Sequence, residues 1–142
     1  MPISLPRWIA HRGGGKLAPE NTLAGIRLAA RLGYRAVEFD VMLSADGTPV
    51  LIHDETLVRT TGSPGEVART DAAQLVKLLA NRGFAPDFPA ARIPRLDEAV
   101  AEDPAAALDT FAVKHLLAKS ASSLRMGVRA ARLVFNETLR QK

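Results

Sequence analysis

The chain has 142 residues, 47% of them hydrophobic and 24% charged, with no cysteine and a formal net charge of +4 at pH 7. Such a length and balance suit one globular domain with its own core, and they exclude disulfide and thiolate chemistry. No apolar run approaches the length of a membrane span, and "MPISLPRW" lacks the basic and apolar regions of a signal peptide, so a cytoplasmic protein without a transmembrane segment is expected.

Taken in chain order, "RWIAHRGGG" predicts a short buried strand over Trp8–Ala10 that runs into a glycine loop. Pro19 and Asn21 in "LAPENT" suit a turn into a helix. In "TLAGIRLAARLG", Leu23, Ile26 and Ala30 fall at helical spacing and Gly33 supplies a stop. "YRAVEFDVML" is the second strand, "SADGTP" a turn, and "PVLIHD" the returning strand of a hairpin. A polar loop, "TLVRTTGSPGEVART", comes next, then a helix over "DAAQLVKLLANRG". A proline-rich surface stretch, "FAPDFPAARIPRL", leads to another helix at "RLDEAVAED". Strand, loop, helix and strand in that order favour a parallel α/β arrangement with a hairpin appended.

After Asp103-Pro104 the texture changes. Residues 101–142 hold 7 Lys and Arg against 4 Asp and Glu, whereas residues 1–100 hold 12 against 11. Leu124, Val128, Ala131 and Phe135 recur at helical spacing, with Arg125, Arg129 and Arg132 on another side. One or two amphipathic helices are expected there, their arginines in solvent. Little aromatic interleaving accompanies the basic residues, so no nucleic-acid partner is expected.

The polar residues gather where strands end: His11-Arg12, Glu20, Glu38 with Asp40, and His53-Asp54. Side chains two apart on a strand share a face, so Glu38 and Asp40 lie together while Val37, Phe39 and Val41 fill the other side. Two carboxylates on one face repel unless positive charge sits between them. A divalent cation supplies it; so does an Arg or Lys. In parallel α/β folds such clusters at strand C-termini are where ligands collect.

Those residues, "HRG" before "PENT", then "EFDV", "DGTPVLIHD", "LVRTTG" and "FAPDFPAARIPRLDEA", resemble the glycerophosphodiester phosphodiesterase family over about residues 7–100. The resemblance implies a TIM-type (β/α)8 barrel that cleaves glycerophosphodiesters, its small-molecule substrates, to glycerol 3-phosphate and an alcohol. It implies Glu38 and Asp40 as ligands of a divalent cation, Mg²⁺ or Ca²⁺, in keeping with the preference of such ions for hard oxygen donors. It assigns acid and base work to His11 and His53, a task imidazole suits. Arg12 matches a phosphate-holding arginine, and Glu20 stands at the edge of the substrate site.

The family's next strand carries a third ligand Glu and a Lys. Overlaid on "LDTFAVKH", that pattern puts Lys114 on the lysine and Ala112 where the Glu belongs, and a helical reading fits the same residues. About half of a barrel is therefore expected to be missing. The expected organisation is an incomplete barrel of N-terminal βα units plus hairpin over residues 1–103 and a divergent helical tail over residues 104–142, a shortened or frame-shifted member of the family. An open sheet edge invites self-association, and a wide, wet site predicts low turnover. The rival expectations are a non-catalytic remnant binding metal or phosphodiester, and a protein-interaction piece using the basic tail helix.

Overall fold

The computed structural model describes residues 7–102 and, further on, the strand formed by residues 110–117. In chain order the elements are α1 (Leu23–Arg31), β1 (Ala36–Leu43), β2 (Pro49–Leu51), α2 (Val58–Thr61), a 3₁₀ turn (Val67–Arg69), α3 (Ala72–Leu75), α4 (Leu96–Ala101) and β3 (Thr110–Leu117). The sheet order is β2-β1-β3, with β2 antiparallel and β3 parallel to β1.

β1 is the axis of the molecule, and its backbone groups are paired along both edges. Strand geometry turns alternate N–H and C=O groups to opposite edges. The even-numbered groups meet the preceding and returning chain: Ala10 N–H donates to Ala36, Gly13 N–H to Glu38, and Ile52 N–H to Asp40. β3 covers the other edge, from Ala36 opposite Thr110 to Met42 opposite Leu117, and the register slips by one residue between Phe39 and Asp40. The edge expected to stay open is therefore not on β1.

Every residue of β1 is buried. Its odd-numbered side chains, Val37, Phe39 and Val41, pack with Ile26 and Ala29 of α1, Leu96 and Ala99 of α4, and Leu51. Phe39 is fully buried, and its loss would cost roughly 3–5 kcal/mol. A second cluster beneath the hairpin joins Met42, Val50 and Ile52 to Leu57, Val67, Leu75 and Ile93. With the odd-numbered face filled by helices, Glu38 and Asp40 are left to the other face.

The helix expected over residues 22–33 forms as Leu23–Arg31, capped by Thr22, whose side-chain oxygen accepts from Gly25 N–H. Gly33 follows it at φ +85°, and its N–H donates to Ala30. Four expectations need correction. The buried strand over Trp8–Ala10 reduces to one parallel bridge, Ala10 to Val37, with Trp8 exposed; only Ala10 reaches the β1 edge. The helix expected over residues 71–83 closes after α3, because Leu79 turns out to bridge Arg92. That pairing draws the proline-rich stretch inward, so Ala91 and Ile93 are buried instead of lying on the surface.

The fourth correction concerns the tail. Residues 110–117, included in the helical region, form a strand, because the unpaired edge of β1 demands backbone partners. Of the two readings of "LDTFAVKH", the strand is the one that forms, and its register sets Ala112 opposite Glu38. Leu124, Val128, Ala131, Phe135 and the neighbouring arginines lie outside the described residues. Among the described residues no helix is long and apolar enough to cross a membrane.

Candidate active site

The chain leaves the edge of β1 at Ala10 and makes a tight loop before α1. Arg12 (φ +51°) and Asn21 (φ +55°) are the non-glycine residues with positive φ among those described. Backbone strain of this kind, tolerated by Asn more readily than by Arg, is held only where surrounding contacts enforce it. Here the loop is pressed onto α1: a Cβ on Gly25 would stand 3.0 Å from the Pro19 carbonyl and 3.1 Å from Gly14 N. The Arg12 and Asn21 side chains are thereby delivered to the carboxylates of β1.

Glu38 and Asp40 are both buried. Asp40 is held by a reciprocal pair: Asn21 Nδ2 donates to Oδ2 at 3.0 Å, and Asp40 N–H donates to Asn21 Oδ1 at 2.9 Å. Arg12 Nε lies 3.3 Å from Asp40 Oδ2, an ion pair without hydrogen-bond geometry. The Arg12 main-chain N–H donates to Glu38 Oε2 at 3.0 Å. Glu38 Oε1, by contrast, is buried with no hydrogen-bond partner among the described residues. His11 stands at the rim, its side chain 58% exposed and its Nε2 3.9 Å from Glu38 Oε2.

A second set of contacts runs from Arg12 to the end of the hairpin. Arg12 Nη1 donates to both oxygens of Glu20, at 3.1 and 3.2 Å. Arg59, from α2, donates to the same carboxylate through Nη1 at 2.9 Å and Nη2 at 2.6 Å. Arg59 also reaches Asp54, through Nε at 2.5 Å and Nη2 at 3.2 Å. Asp54 Oδ1 lies 2.7 Å from Nδ1 of His53.

The charges follow from these contacts. The Arg59 hydrogen bond lowers the Asp54 pKa from 3.8 to about 2, burial opposes the change, and the His53 bond adds to it. An ionised carboxylate only accepts, so the contact favours the proton on Nδ1 whenever the His53 ring carries a single one. For Glu20, burial is the largest influence and pushes the pKa up; Arg59 and then Arg12 together outweigh it and hold the value below normal. Arg59 is pushed further up by its bonds to Glu20 and Asp54.

Arg12 thus supplies part of the positive charge that two carboxylates on one face require. It does not supply all of it. Within the network Arg12 and Arg59 carry +2 against −4 on Glu20, Glu38, Asp40 and Asp54, a formal balance of −2. A divalent cation fits that balance, and Glu38 Oε1 is a buried oxygen in need of a partner. No cluster of three or more His, Asp or Glu side chains suited to a metal occurs among the described residues. Glu38 and Asp40 are the two carboxylates that this face offers, and a hard cation held by so few side chains would need water for its remaining positions.

All six residues singled out in the sequence enter one run of contacts. His11, Arg12, Glu20, Glu38 and Asp40 are joined by direct contacts, while His53 joins through Asp54 and Arg59. Sequence reasoning placed Asp54 among the polar residues at strand ends but assigned no chemical role to it, to Asn21 or to Arg59. Asn21 was legible only as a turn former, although Asn is among the residues that best tolerate positive φ. The 39-residue separation between Arg59 and Glu20 leaves no local signal at all.

Residues 11–136 match the model of the Glycerophosphoryl diester phosphodiesterase family. The chain is 51% identical over 96 residues to human Glycerophosphodiester phosphodiesterase 1, a match covering 66% of this chain and 29% of that protein. It is 46% identical over 90 residues to a Glycerophosphodiester phosphodiesterase of Caldanaerobacter subterraneus, over 63% of this chain and 37% of the relative. Among solved structures, an Oleispira antarctica phosphodiesterase in complex with the product sn-glycerol-3-phosphate superposes with a TM-score of 0.76 at 38% identity. That match covers 96% of this chain and 53% of the solved one. The chain therefore spans about half the length of that solved relative, and about a third of the curated ones. These likenesses imply a TIM-barrel-like α/β fold.

Proposed function

Because the chain belongs to the glycerophosphoryl diester phosphodiesterase family, we propose that its rim of polar residues hydrolyses glycerophosphodiesters to glycerol 3-phosphate and an alcohol. One observation supports this most. His11, Arg12, Glu38 and Asp40 meet at the end of one strand, and a buried carboxylate oxygen among them has no hydrogen-bond partner among the described residues.

In this reading Glu38 and Asp40 hold a divalent cation, Mg²⁺ or Ca²⁺, which when bound neutralises phosphate charge and polarises the phosphoryl oxygen. Arg12, with its planar fork, orients the phosphate. His53 donates Nδ1–H to Asp54 and so presents Nε2 as the proton acceptor for the attacking hydroxyl or water. His11, exposed at the rim, returns a proton to the departing alkoxide. Glu20 borders the substrate and steadies Arg12. That the described residues make only part of a barrel, and that the protein is cytoplasmic, belong to the same reading.

Calorimetric titration with glycerol 3-phosphate, with and without Mg²⁺ or Ca²⁺, tests the assignment. Binding should require the cation and be lost in Arg12→Lys, since an ammonium cannot reproduce the fork. Cation-independent binding, or unchanged heats in Arg12→Lys, would contradict it. No group of three or more His, Asp or Glu side chains arranged to hold a metal occurs among the described residues, which favours a second reading, a non-catalytic remnant that binds metal or phosphodiester without turnover.

A further inference from the structure

Arg59 is absent from the reaction outlined above, yet it connects the two ends of the site. It is the only described residue that bonds both Glu20 and Asp54, and it uses all three guanidinium nitrogens to do so. Each of those carboxylates in turn holds one of the groups assigned to chemistry. Glu20 takes Nη1 of Arg12, and Asp54 faces Nδ1 of His53.

We infer that Arg59 is a positioning residue, a guanidinium clamp that fixes Asp54 and thereby the tautomer of His53, and fixes Glu20 and thereby the Arg12 fork. The geometry explains why one residue performs both tasks. A guanidinium presents five donors in a rigid plane, enough to face two carboxylates at once. Asp54 is adjacent to His53 in the chain, and a carboxylate on a neighbouring residue has several rotamers, only some of which meet Nδ1. Arg59 selects among them by holding both Asp54 oxygens, at 2.5 and 3.2 Å. On the other side, Glu20 receives both arginines, so its position couples α2 to the loop that carries Arg12.

This inference deepens the hydrolase reading of the same site, but its test needs no turnover. Long-range ¹⁵N–¹H correlation spectra of the histidine rings, recorded where the rings are neutral, report the tautomer of each. In the wild-type chain His53 should be predominantly the Nδ1–H form. In Arg59→Gln the tautomer ratio should move about tenfold toward Nε2–H, the equivalent of one charge-assisted hydrogen bond. His11, whose ion pair runs to Glu38, serves as the internal control and should change little. Should Arg59→Gln fail to fold, Arg59→Lys decides the matter. It keeps the charge but lacks the fork, so His53 should still shift. A wild-type tautomer ratio at His53 in either folded variant would overturn the inference. A shifted ratio together with no glycerophosphodiester hydrolysis in the wild-type chain would instead count against the hydrolase reading and leave the clamp standing.

Discussion

The Arg12 main-chain N–H donates to Oε2 of Glu38 at 3.0 Å, while Oε1 of the same carboxylate is buried without a hydrogen-bond partner among the described residues. One oxygen is thus satisfied by the loop and the other faces the site. A buried acceptor left in that state costs about 1–3 kcal/mol, which a bound cation would offset.

From this follows weak, saturable binding of Mg²⁺ or Ca²⁺, with water completing the coordination. Glu38→Gln and Asp40→Asn each preserve shape and remove one negative charge, so each should weaken the binding by about tenfold or more. Isothermal titration of the wild type and both variants decides it. Heats indistinguishable among the three proteins would exclude these carboxylates as ligands.

Asn21 makes two hydrogen bonds to Asp40 from a backbone at φ +55°. Asn21→Gly keeps the backbone freedom and loses the bonds; Asn21→Ala loses both. Urea denaturation should place Asn21→Gly about 1–3 kcal/mol below the wild type, with Asn21→Ala lower by roughly a further 1 kcal/mol. Equal stability of the two variants would show that the positive φ carries no strain.

Acid sensitivity follows from Asp54. Its pKa is depressed in the folded protein, from 3.8 to about 2, chiefly by the Arg59 hydrogen bond. A depressed carboxylate contributes stability that is fully present above its unfolded pKa and disappears as pH falls through the folded one. The loss should therefore occur between about pH 4 and pH 2, alongside that of Glu20, which is also held low. Both Asp54 and Arg59 are partly exposed, so solvent and salt screen the pair and its contribution is modest. In unfolding experiments across this range, Asp54→Asn should show a shallower pH dependence than the wild type. Parallel curves would contradict the assignment.

Much of this architecture was legible in the chain, for identifiable reasons. The period-two pattern around Glu38 and Asp40 placed both carboxylates on one face of β1, because Val37, Phe39 and Val41 had to enter the core. Asp46-Gly47 marked the hairpin turn, and Gly33 the end of α1. The segments that misled were those whose state depends on distant partners. Leu75, Leu78 and Leu79 have helical spacing, but Leu79 is drawn into a bridge with Arg92. "LDTFAVKH" suits helix and strand alike, and only the unpaired edge of β1 selects the strand. The same holds in the site, where Arg59 finds Glu20 through the fold and not through local sequence.

The central claim is that this rim performs cation-assisted phosphodiester hydrolysis, and it is tested most directly by a coupled assay for glycerol 3-phosphate released from glycerophosphocholine or glycerophosphoethanolamine. With two carboxylates rather than three, release should be detectable only with saturating Mg²⁺ or Ca²⁺, and well below the ordinary enzyme range of roughly 1–1,000 per second. Glu38→Gln should abolish it, and His53→Ala should lower it by about a hundredfold or more. No release at all, or release that persists without cation and survives both substitutions, would contradict the account.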